Sequence, residues 1–563
     1  MSGCTTPELT VVAVRSHSPS PPIFKLTDDA LSAILQLIVA DTPATFHIGP
    51  RRALWIKEDK SRPLATLLCC SQVCKKWRSL IATSPLLWAS AVDLDALSLR
   101  PREWVDNFIG LTRQAPLRVY SLYSRPHIHA QSPQFVLSFL NEHWPRIREV
   151  KATLIGNYSQ LFETIYSDLP EHRKIFLTQP APLLETFKVH FALTQFHPDF
   201  AVPNSDSFPF FNGEAPALRK FECHDLPGFL PLLSSTELRH LRISFEAAYH
   251  AWKRSHRLPI SRSNVLTTLA GASSLESLVI AGNFYDSKMG ALKNIPEIHL
   301  PRLKYLSITE ETFLTAIDIL DRIKPAAGCG LHLDVHSEST TVAHPHFASL
   351  EAYATSFFNT HSISHLELVL MRFAVYFSAK CCCVEHKDKP AQFYIKNAAG
   401  LTFETLASLS ACNYSRVTHL SVQASFSSTL DSSAHAFTAT NIHIEKFFAL
   451  LSSVATIETS IYFLNEFLTR QPNATILLPN LQHVQLATSA AGYEMDRYTQ
   501  GWISHDDPHQ FKGPLCQFAA HRRDIGVPLS TVDKSRYWIS LADQIVPPPI
   551  DIHNLLAQTL HKD

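Results

Sequence analysis

The chain has 563 residues, too many for one compact core, so its length predicts several domains or one extended array. Hydrophobic residues make up 45% and charged residues 18%, which is typical of globular proteins and excludes a largely disordered chain. Lys plus Arg and Asp plus Glu both number 50, so the formal net charge is zero. This balance gives no electrostatic reason to expect nucleic acid or an acidic membrane surface as a partner.

The cysteines and the apolar runs predict a soluble, intracellular protein. Several of the 11 cysteines are neighbours, Cys69-Cys70 and Cys381-Cys382-Cys383, and adjacent cysteines rarely meet disulfide geometry. We therefore expect a reducing compartment, the cytoplasm or the nucleus. No apolar run approaches the roughly 18 residues of a membrane-spanning helix, and the N-terminus lacks a signal-peptide pattern, so we expect no membrane association.

The first ordered element is predicted after a Ser-, Thr- and Pro-rich tail over residues 1–22. Thr27-Asp28-Asp29 offers a helix N-cap, and the apolar positions that follow are spaced as one face of a helix. These positions are Leu31, Ile34, Leu35 and Ile38. A polar insert over residues 42–62 ends this pattern.

A second helical pattern starts at Pro63, a residue suited to the first turn of a helix. Its apolar positions run to Ile81, and Ser84-Pro85 ends it before the bulky Leu86-Leu87-Trp88. Cys69, Cys70 and Cys74 would then lie on one helix. We expect residues 23–93 to form a single helical module.

From about residue 116 the chain repeats a short apolar pattern, Leu-x-x-Leu-x-Leu, in which alternate residues suit the buried face of a parallel strand. The copies begin at Leu184, Leu218 (a weaker copy), Leu238, Leu275, Leu303, Ile363, Val417 and Leu481. Proline precedes several of them and suits a strand-entry turn that needs no backbone donor. The steps between copies are irregular, so the largest gaps should hide further copies.

Helices are predicted between the copies, for example over residues 313–323, 444–451 and 515–523. Gly526 suits the position after the last of these helices, and residues 529–532 suit a final strand. We therefore predict one array over residues 94–545 and a C-terminal tail over 546–563.

The segment Val73-Cys74-Lys75-Lys76-Trp77-Arg78-Ser79-Leu80, with Leu86-Leu87-Trp88 after it, resembles the second half of an F-box. Leu26-Thr27-Asp28-Asp29-Ala30-Leu31 resembles its opening, with Thr27 and Asp29 where the family usually has proline and glutamate. Phrases such as Leu300-Pro301-Arg302-Leu303 resemble the fungal F-box proteins with degenerate leucine-rich repeats.

The resemblance implies an α/β protein in which an N-terminal helical F-box module precedes an irregular leucine-rich-repeat solenoid with a parallel sheet on its concave face. It also implies a non-catalytic subunit of a Skp–cullin–F-box ubiquitin ligase. In such a subunit the F-box binds the Skp-type adaptor, which joins it to the cullin scaffold, and the repeats bind a protein target. The alternative is a repeat scaffold whose F-box-like helices support no degradation.

A small helical module buries too little surface to be stable alone, so its apolar residues are candidates for contact with the adaptor. The candidates are Leu26, Leu31, Ile34, Leu35, Val73, Trp77, Leu80 and Trp88. Trp77 and Trp88 are the expected anchors, because aromatic residues dominate interface energies. The alternative is that both tryptophans fill the core of the module.

The outward positions of the repeated strands are candidates for target binding. They include His240, Arg242, Tyr305, His365, Glu367, His419, His483 and Gln485. The histidines form a stripe towards the C-terminal half, which predicts binding that changes with pH because imidazole titrates near neutrality. The alternative is that histidine is only tolerated at the entry of a strand.

Metal and catalytic sites are not expected. Cys381-Cys382-Cys383 with His386 resembles a ligand cluster, but adjacent cysteines cannot all bind one tetrahedral zinc ion. The sequence has no Gly-x-Ser-x-Gly, no phosphate-binding Gly-x-x-x-x-Gly-Lys and no His-Glu-x-x-His. We therefore predict no enzyme activity and no cofactor.

Overall fold

A computed structural model describes residues 26–40, 62–121, 133–156, 179–193, 210–224, 237–244, 262–282, 295–310, 313–335, 347–371, 375–381, 392–397, 402–425, 443–459, 477–486, 512–534 and 537–540. The predicted tails and nearly all of the predicted insert lie outside these ranges. The chain divides into two compact units. Unit 1 comprises residues 1–136 with 146–152, and unit 2 comprises residues 137–145 with 153–563.

Unit 1 joins the predicted helical module to three short parallel strands. Its helices are α1 (Asp28–Ala40), α2 (Pro63–Val73), α3 (Lys75–Thr83), α4 (Pro85–Ala89), α5 (Leu94–Leu97) and α6 (Arg102–Thr112), and α7 (Pro133–His143) begins in it. Its strands β1 (Val92–Asp93), β2 (Leu117–Ser121) and the first part of β3 (Ile147–Gly156) pair in that order.

The helix starts in unit 1 agree with the sequence, but one helix is split. The Ala30 backbone N–H donates to Thr27 Oγ1 at 3.3 Å, as expected of an N-cap, and Pro63 occupies the first turn of α2. The predicted single helix from Pro63 to Ile81 is wrong, because Cys74 is extended (φ −159°, ψ 168°) and separates α2 from α3. Its Sγ accepts a hydrogen bond from the Trp77 N–H, so Cys74 caps α3 instead of sharing a helix with Cys69.

Unit 2 is built from strands, with helices between several of them. The strands are β4 (Thr186–Leu193), β5 (Lys220–His224), β6 (His240–Ser244), β7 (Ser277–Ala281), β8 (Ile298–Leu300), β9 (Tyr305–Glu310), β10 (Ile323–Pro325), β11 (Gly330–Val335), β12 (Ile363–Met371), β13 (Val375–Cys381), β14 (Gln392–Asn397), β15 (His419–Ser425), β16 (Thr456–Thr459), β17 (His483–Leu486), β18 (Thr531–Lys534) and β19 (Tyr537–Ser540). The helices are α8 (Arg262–Leu269), α9 (Phe313–Arg322), α10 (Ala348–Thr360), α11 (Thr402–Leu409), the helical segment 443–449 and α12 (Lys512–Asp524). Each copy of the Leu-x-x-Leu-x-Leu pattern begins at, or two residues before, the start of one of these strands.

A recurrent turn leads into these strands. The N–H of the first apolar residue of a copy donates to the carbonyl three residues before it, as in Leu184 to Ala181 (3.3 Å) and Leu303 to Leu300 (3.0 Å). Proline stands directly after the accepting residue in both turns, a position where its fixed φ is favourable. This confirms the predicted use of proline at the strand entries.

Most of the sheet in unit 2 is parallel, but its order departs from the sequence at one place. Strands β4, β5, β6, β7, β9 and β11 pair in parallel in chain order. Strands β14 and β13 then lie between β11 and β12, and β13 is antiparallel to both of its neighbours. Beyond β12 the parallel order resumes through β15, β16, β17 and β18, and β19 closes the series antiparallel to β18.

The predicted parallel sheet is confirmed for most of the strands, but β13 and β19 run antiparallel to their neighbours. Only residues 372–374 separate β12 from β13, which is too short for a parallel crossover, so the chain must turn back on itself. The gaps that were expected to hide further copies of the pattern contain additional strands, and β11 and β16 lie in two of them.

The inward apolar positions align across the strands to form the core of unit 2. Phe187, Phe221 and Leu241 are directly in register on β4, β5 and β6, and all are buried. The Phe187 and Phe221 rings stack with centroids 5.2 Å apart. This burial fixes the register of each strand, and so determines which side chains share the outward face.

Candidate protein-binding surfaces

The helices of unit 1 enclose a small apolar core. Its buried side chains include Leu31 and Leu35 of α1, Leu67 of α2, and Trp77 and Ile81 of α3. Three of the predicted adaptor-binding residues, Leu31, Leu35 and Trp77, therefore lie in the interior. Their substitution would act first on the folding of the unit.

The other predicted adaptor-binding residues keep some accessible surface. Val73, at the end of α2, is 62% exposed, whereas Leu26, Ile34, Leu80 and Trp88 are half-buried. The Trp88 ring packs edge-on against Phe108 of α6 with centroids 5.8 Å apart. Trp88 therefore makes an internal contact and also keeps part of its surface accessible.

Four exposed apolar residues of α1, α2 and α4 were not among the predicted adaptor-binding residues. Leu37 is 67% exposed, and Ile38, Leu68 and Leu86 are also exposed. A signal for Leu37 was available, because α1 carries apolar residues around most of its circumference instead of along one stripe. A helix of that kind needs a second apolar contact beyond its own core.

Lys76 fixes the start of α1 against α3. Its Nζ donates to the Leu26 carbonyl at 3.0 Å and lies 3.1 Å from the Asp28 carboxylate. Lys76, one of the basic residues of the F-box-like pattern, therefore stabilises the packing of α1 against α3.

Arg62 plays a similar part at the start of α2. Its guanidinium lies 3.5 Å from the Asp93 carboxylate, which also accepts the Ala96 N–H at the start of α5. Burial raises the pKa of Asp93, while the neighbouring Arg62 charge lowers it. The pair therefore joins the start of α2 to the start of α5.

The outward face of unit 2 carries the predicted target-binding residues in straight rows across the sheet. The first row runs through Thr186, Lys220, His240, Ser277 and Tyr305 on adjacent strands. From β12 onward it consists of His365, His419, Thr456 and His483. His240, His365 and His419 are exposed, and Tyr305 and His483 are half-buried. The His365 and His419 rings stack with centroids 6.4 Å apart.

The second row contains Arg242, Glu367 and Gln485, and it also contains Glu222, which was not predicted as an outward residue. Lys188, Glu222 and Arg242 are in register on β4, β5 and β6. Glu367 and Gln485 lie further along the same row and are half-buried.

Glu222 is the centre of an ion cluster, although only 5% of its surface is exposed. Its carboxylate lies 3.1 Å from Lys188 Nζ, 3.8 Å from Arg242 and 3.9 Å from Lys220, and 3.2 Å from His224 Nε2. Burial by itself raises the pKa of Glu222, but the His224 hydrogen bond and the surrounding cations outweigh it and hold that pKa far below its usual range. Burial lowers the pKa of His224, so this ring is neutral at pH 7 and contributes a hydrogen bond to the cluster.

A second cluster lies where the inserted strands meet β11. The His332 ring stacks on Tyr394 with centroids 4.4 Å apart, and Lys396 pairs with Asp334 at 3.1 Å. Lys396 also lies over the Tyr376 ring. Its cation is thus already paired within the sheet.

The structure describes Cys381 as buried, whereas Cys382, Cys383 and His386 lie outside the described residues. Among the described residues, no group of three or more His, Cys, Asp and Glu side chains could hold a metal ion. No helix in the described ranges is long and apolar enough to cross a membrane.

Comparison with known families identifies one domain. The sequence profile of the F-box domain matches residues 63–89, which form α2, α3 and α4. The match supports an F-box protein and indicates a Skp-binding adaptor within a complex of the Skp–cullin–F-box type. Proteins with this domain are in general non-catalytic adaptors. No curated protein matches the chain.

Proposed function

We propose that this protein is the substrate-recognition subunit of a Skp–cullin–F-box ubiquitin ligase. The observation that carries the proposal is the F-box match over α2–α4, where a buried apolar core leaves further apolar side chains exposed. The Skp-type adaptor would cover the exposed residues Leu37, Ile38, Leu68, Val73 and Leu86. Removing such side chains from water is the main source of free energy in protein association.

The leucine-rich-repeat-like array of unit 2 would hold the target. Its outward face presents rows of polar, charged and imidazole side chains on a rigid sheet, which suits recognition of a protein surface. The candidates predicted from the sequence, from His240 to Gln485, belong to these rows.

The test of adaptor binding uses exposed residues, because changes to Leu35 or Trp77 would disturb the core. The double variant Val73→Asp/Leu86→Asp places two charges in the proposed interface and should reduce capture of the Skp-type adaptor from cell extract by at least about tenfold. Capture of the cullin should fall in parallel. Both are measured by affinity purification of the full-length chain.

The matched control is Leu99→Asp/Leu111→Asp, which changes two exposed leucines of the same unit outside the F-box match. This variant should capture the adaptor as the wild type does. Equal capture by all three proteins would refute the proposed interface. Capture of the adaptor without turnover of any bound protein would favour the non-degradative scaffold.

A further inference from the structure

Strands β4, β5 and β6 carry an excess of positive charge on one face of the sheet. Their Lys and Arg residues are Lys188, Lys220 and Arg242, and their only Asp or Glu is Glu222. Because Lys188, Glu222 and Arg242 are in register on adjacent strands, their side chains leave the same face side by side. One carboxylate cannot neutralise three cations, so this face has a local charge of about +2.

Two of the three cations remain accessible to a ligand. The side chains of Lys220 and Arg242 are 47% and 44% exposed, and they lie 3.9 and 3.8 Å from the Glu222 carboxylate, too far for hydrogen bonds to it. Lys188 is much less exposed and lies close to Glu222, so it serves the buried carboxylate. Lys220 and Arg242 therefore keep N–H donors for a second anion.

The sheet face next to these cations also carries buried polar side chains. Ser244 follows Arg242 by two positions on β6, on the same face, and its buried hydroxyl has no hydrogen-bond partner. His224 pairs with Ser244 in the register of β5 and β6, and its Nδ1 has no hydrogen-bond partner either. Buried polar atoms without partners are uncommon in a region that serves only packing.

We propose that Lys220 and Arg242, above the buried Glu222, bind a carboxylate-rich segment of the target protein. The inference rests on the proposed function, which supplies the target, and it adds the chemical character of the segment that is recognised. Glutamate or aspartate side chains would accept hydrogen bonds from the Lys220 ammonium and the Arg242 guanidinium, while Glu222 keeps Lys188 and His224 as partners. Charge complementarity of this kind gives specificity and a faster association rate.

The experiment uses the full-length chain and a fluorescently labelled oligoglutamate peptide, with an oligoglutamine peptide of the same length for comparison. Fluorescence anisotropy at low ionic strength should show binding of the oligoglutamate peptide alone, and added salt should weaken it. The variant Lys220→Gln/Arg242→Gln should weaken this binding by about tenfold or more. The variant keeps the two closest partners of Glu222, Lys188 and His224, so its loss of stability should be small, and a thermal unfolding curve checks that it remains folded.

The matched control, Arg102→Gln/Lys324→Gln, removes the same net charge from two exposed cations that already have carboxylate partners, Asp106 at 2.9 Å and Glu297 at 3.6 Å. It should bind the peptide as the wild type does. Equal weakening in both double variants, or no weakening in either, would overturn the proposal. Capture of the Skp-type adaptor, measured on the same proteins, reports separately on the proposed function.

Discussion

Two stretches of the sheet in unit 2 show different ways of using the same outward face. From β4 to β9 the strands pair in the order of the chain, and charged side chains meet across neighbouring strands around the buried Glu222. In β12, β15, β16 and β17 there is no Lys or Arg. The charged residues there are Glu367 and Glu458, beside the imidazoles of His365, His419 and His483.

The two stretches differ in how much a carboxylate on the outward face needs neighbouring side chains to stabilise its charge. Glu222 is removed from water and needs the cations and the hydrogen bond that adjacent strands bring to it. Glu458 is half-buried and keeps contact with solvent. The first stretch should therefore be sensitive to changes of charge, and the second to changes in backbone packing.

The largest expected effect is that of Glu222→Gln. The substitution leaves the largely buried Lys188 without its counter-charge, which costs about 3 kcal/mol. Hydrogen–deuterium exchange of the β5 amides should report this loss as faster local opening. Glu458→Gln is the control and should change exchange in β16 by no more than about 0.5 kcal/mol.

The same variant makes a prediction about pH. The folded state holds the pKa of Glu222 below its ordinary value of 4.5, so the carboxylate contributes stability above that value and loses it as the pH falls towards the folded-state pKa. The difference between wild type and Glu222→Gln should therefore be greatest at neutral pH and shrink below about pH 4.5. A difference that stays constant into acid would show that Glu222 acts through shape and not through charge.

A smaller effect is expected at Gly330, where β11 meets the inserted β14. A Cβ at this position would lie 2.8 Å from the backbone oxygen of Gln392, and a backbone atom cannot move aside as a flexible side chain can. Gly330→Ala should therefore destabilise this junction by about 1–3 kcal/mol, seen as a lower midpoint of thermal unfolding. Gly271→Ala is the control, because its Cβ would approach nothing closer than 3.9 Å. An unchanged midpoint for Gly330→Ala would mean that β14 is not held against β11 in solution.

The sequence predicted the strands well because their signal is local. Leu241 and Ile243 alternate as the inward face of β6 requires, and the structure buries both. The outward histidines follow from the same alternation. The F-box helices were likewise found from caps and apolar spacing within a few turns.

The features that were missed depend on partners distant in the chain. The Glu222 cluster joins Lys188, Glu222 and Arg242 across three strands, and the weak copy at Leu218 was left out of the outward rows. Strands β13 and β14 carry no Leu-x-x-Leu pattern, so their pairing was not predicted. The break at Cys74 involves neither glycine nor proline, so nothing in the local sequence indicated it.

The smallest expected effect concerns the histidine stripe and tests whether the two stretches really differ. His365 and His419 are exposed and His483 is half-buried, so changing all three to Gln should alter stability by less than about 0.5 kcal/mol. Strands β12, β15, β16 and β17 contain Glu367 and Glu458 and no Lys or Arg, so they offer no Lys or Arg cation to an acidic ligand. The triple variant should therefore bind oligoglutamate within about twofold of the wild type, whereas Lys220→Gln/Arg242→Gln should bind it weakly. Fluorescence anisotropy at low ionic strength measures both. A triple variant that loses binding as strongly as Lys220→Gln/Arg242→Gln would show that the histidines take part in binding an acidic ligand and that recognition does not rest with the β4–β6 stretch alone.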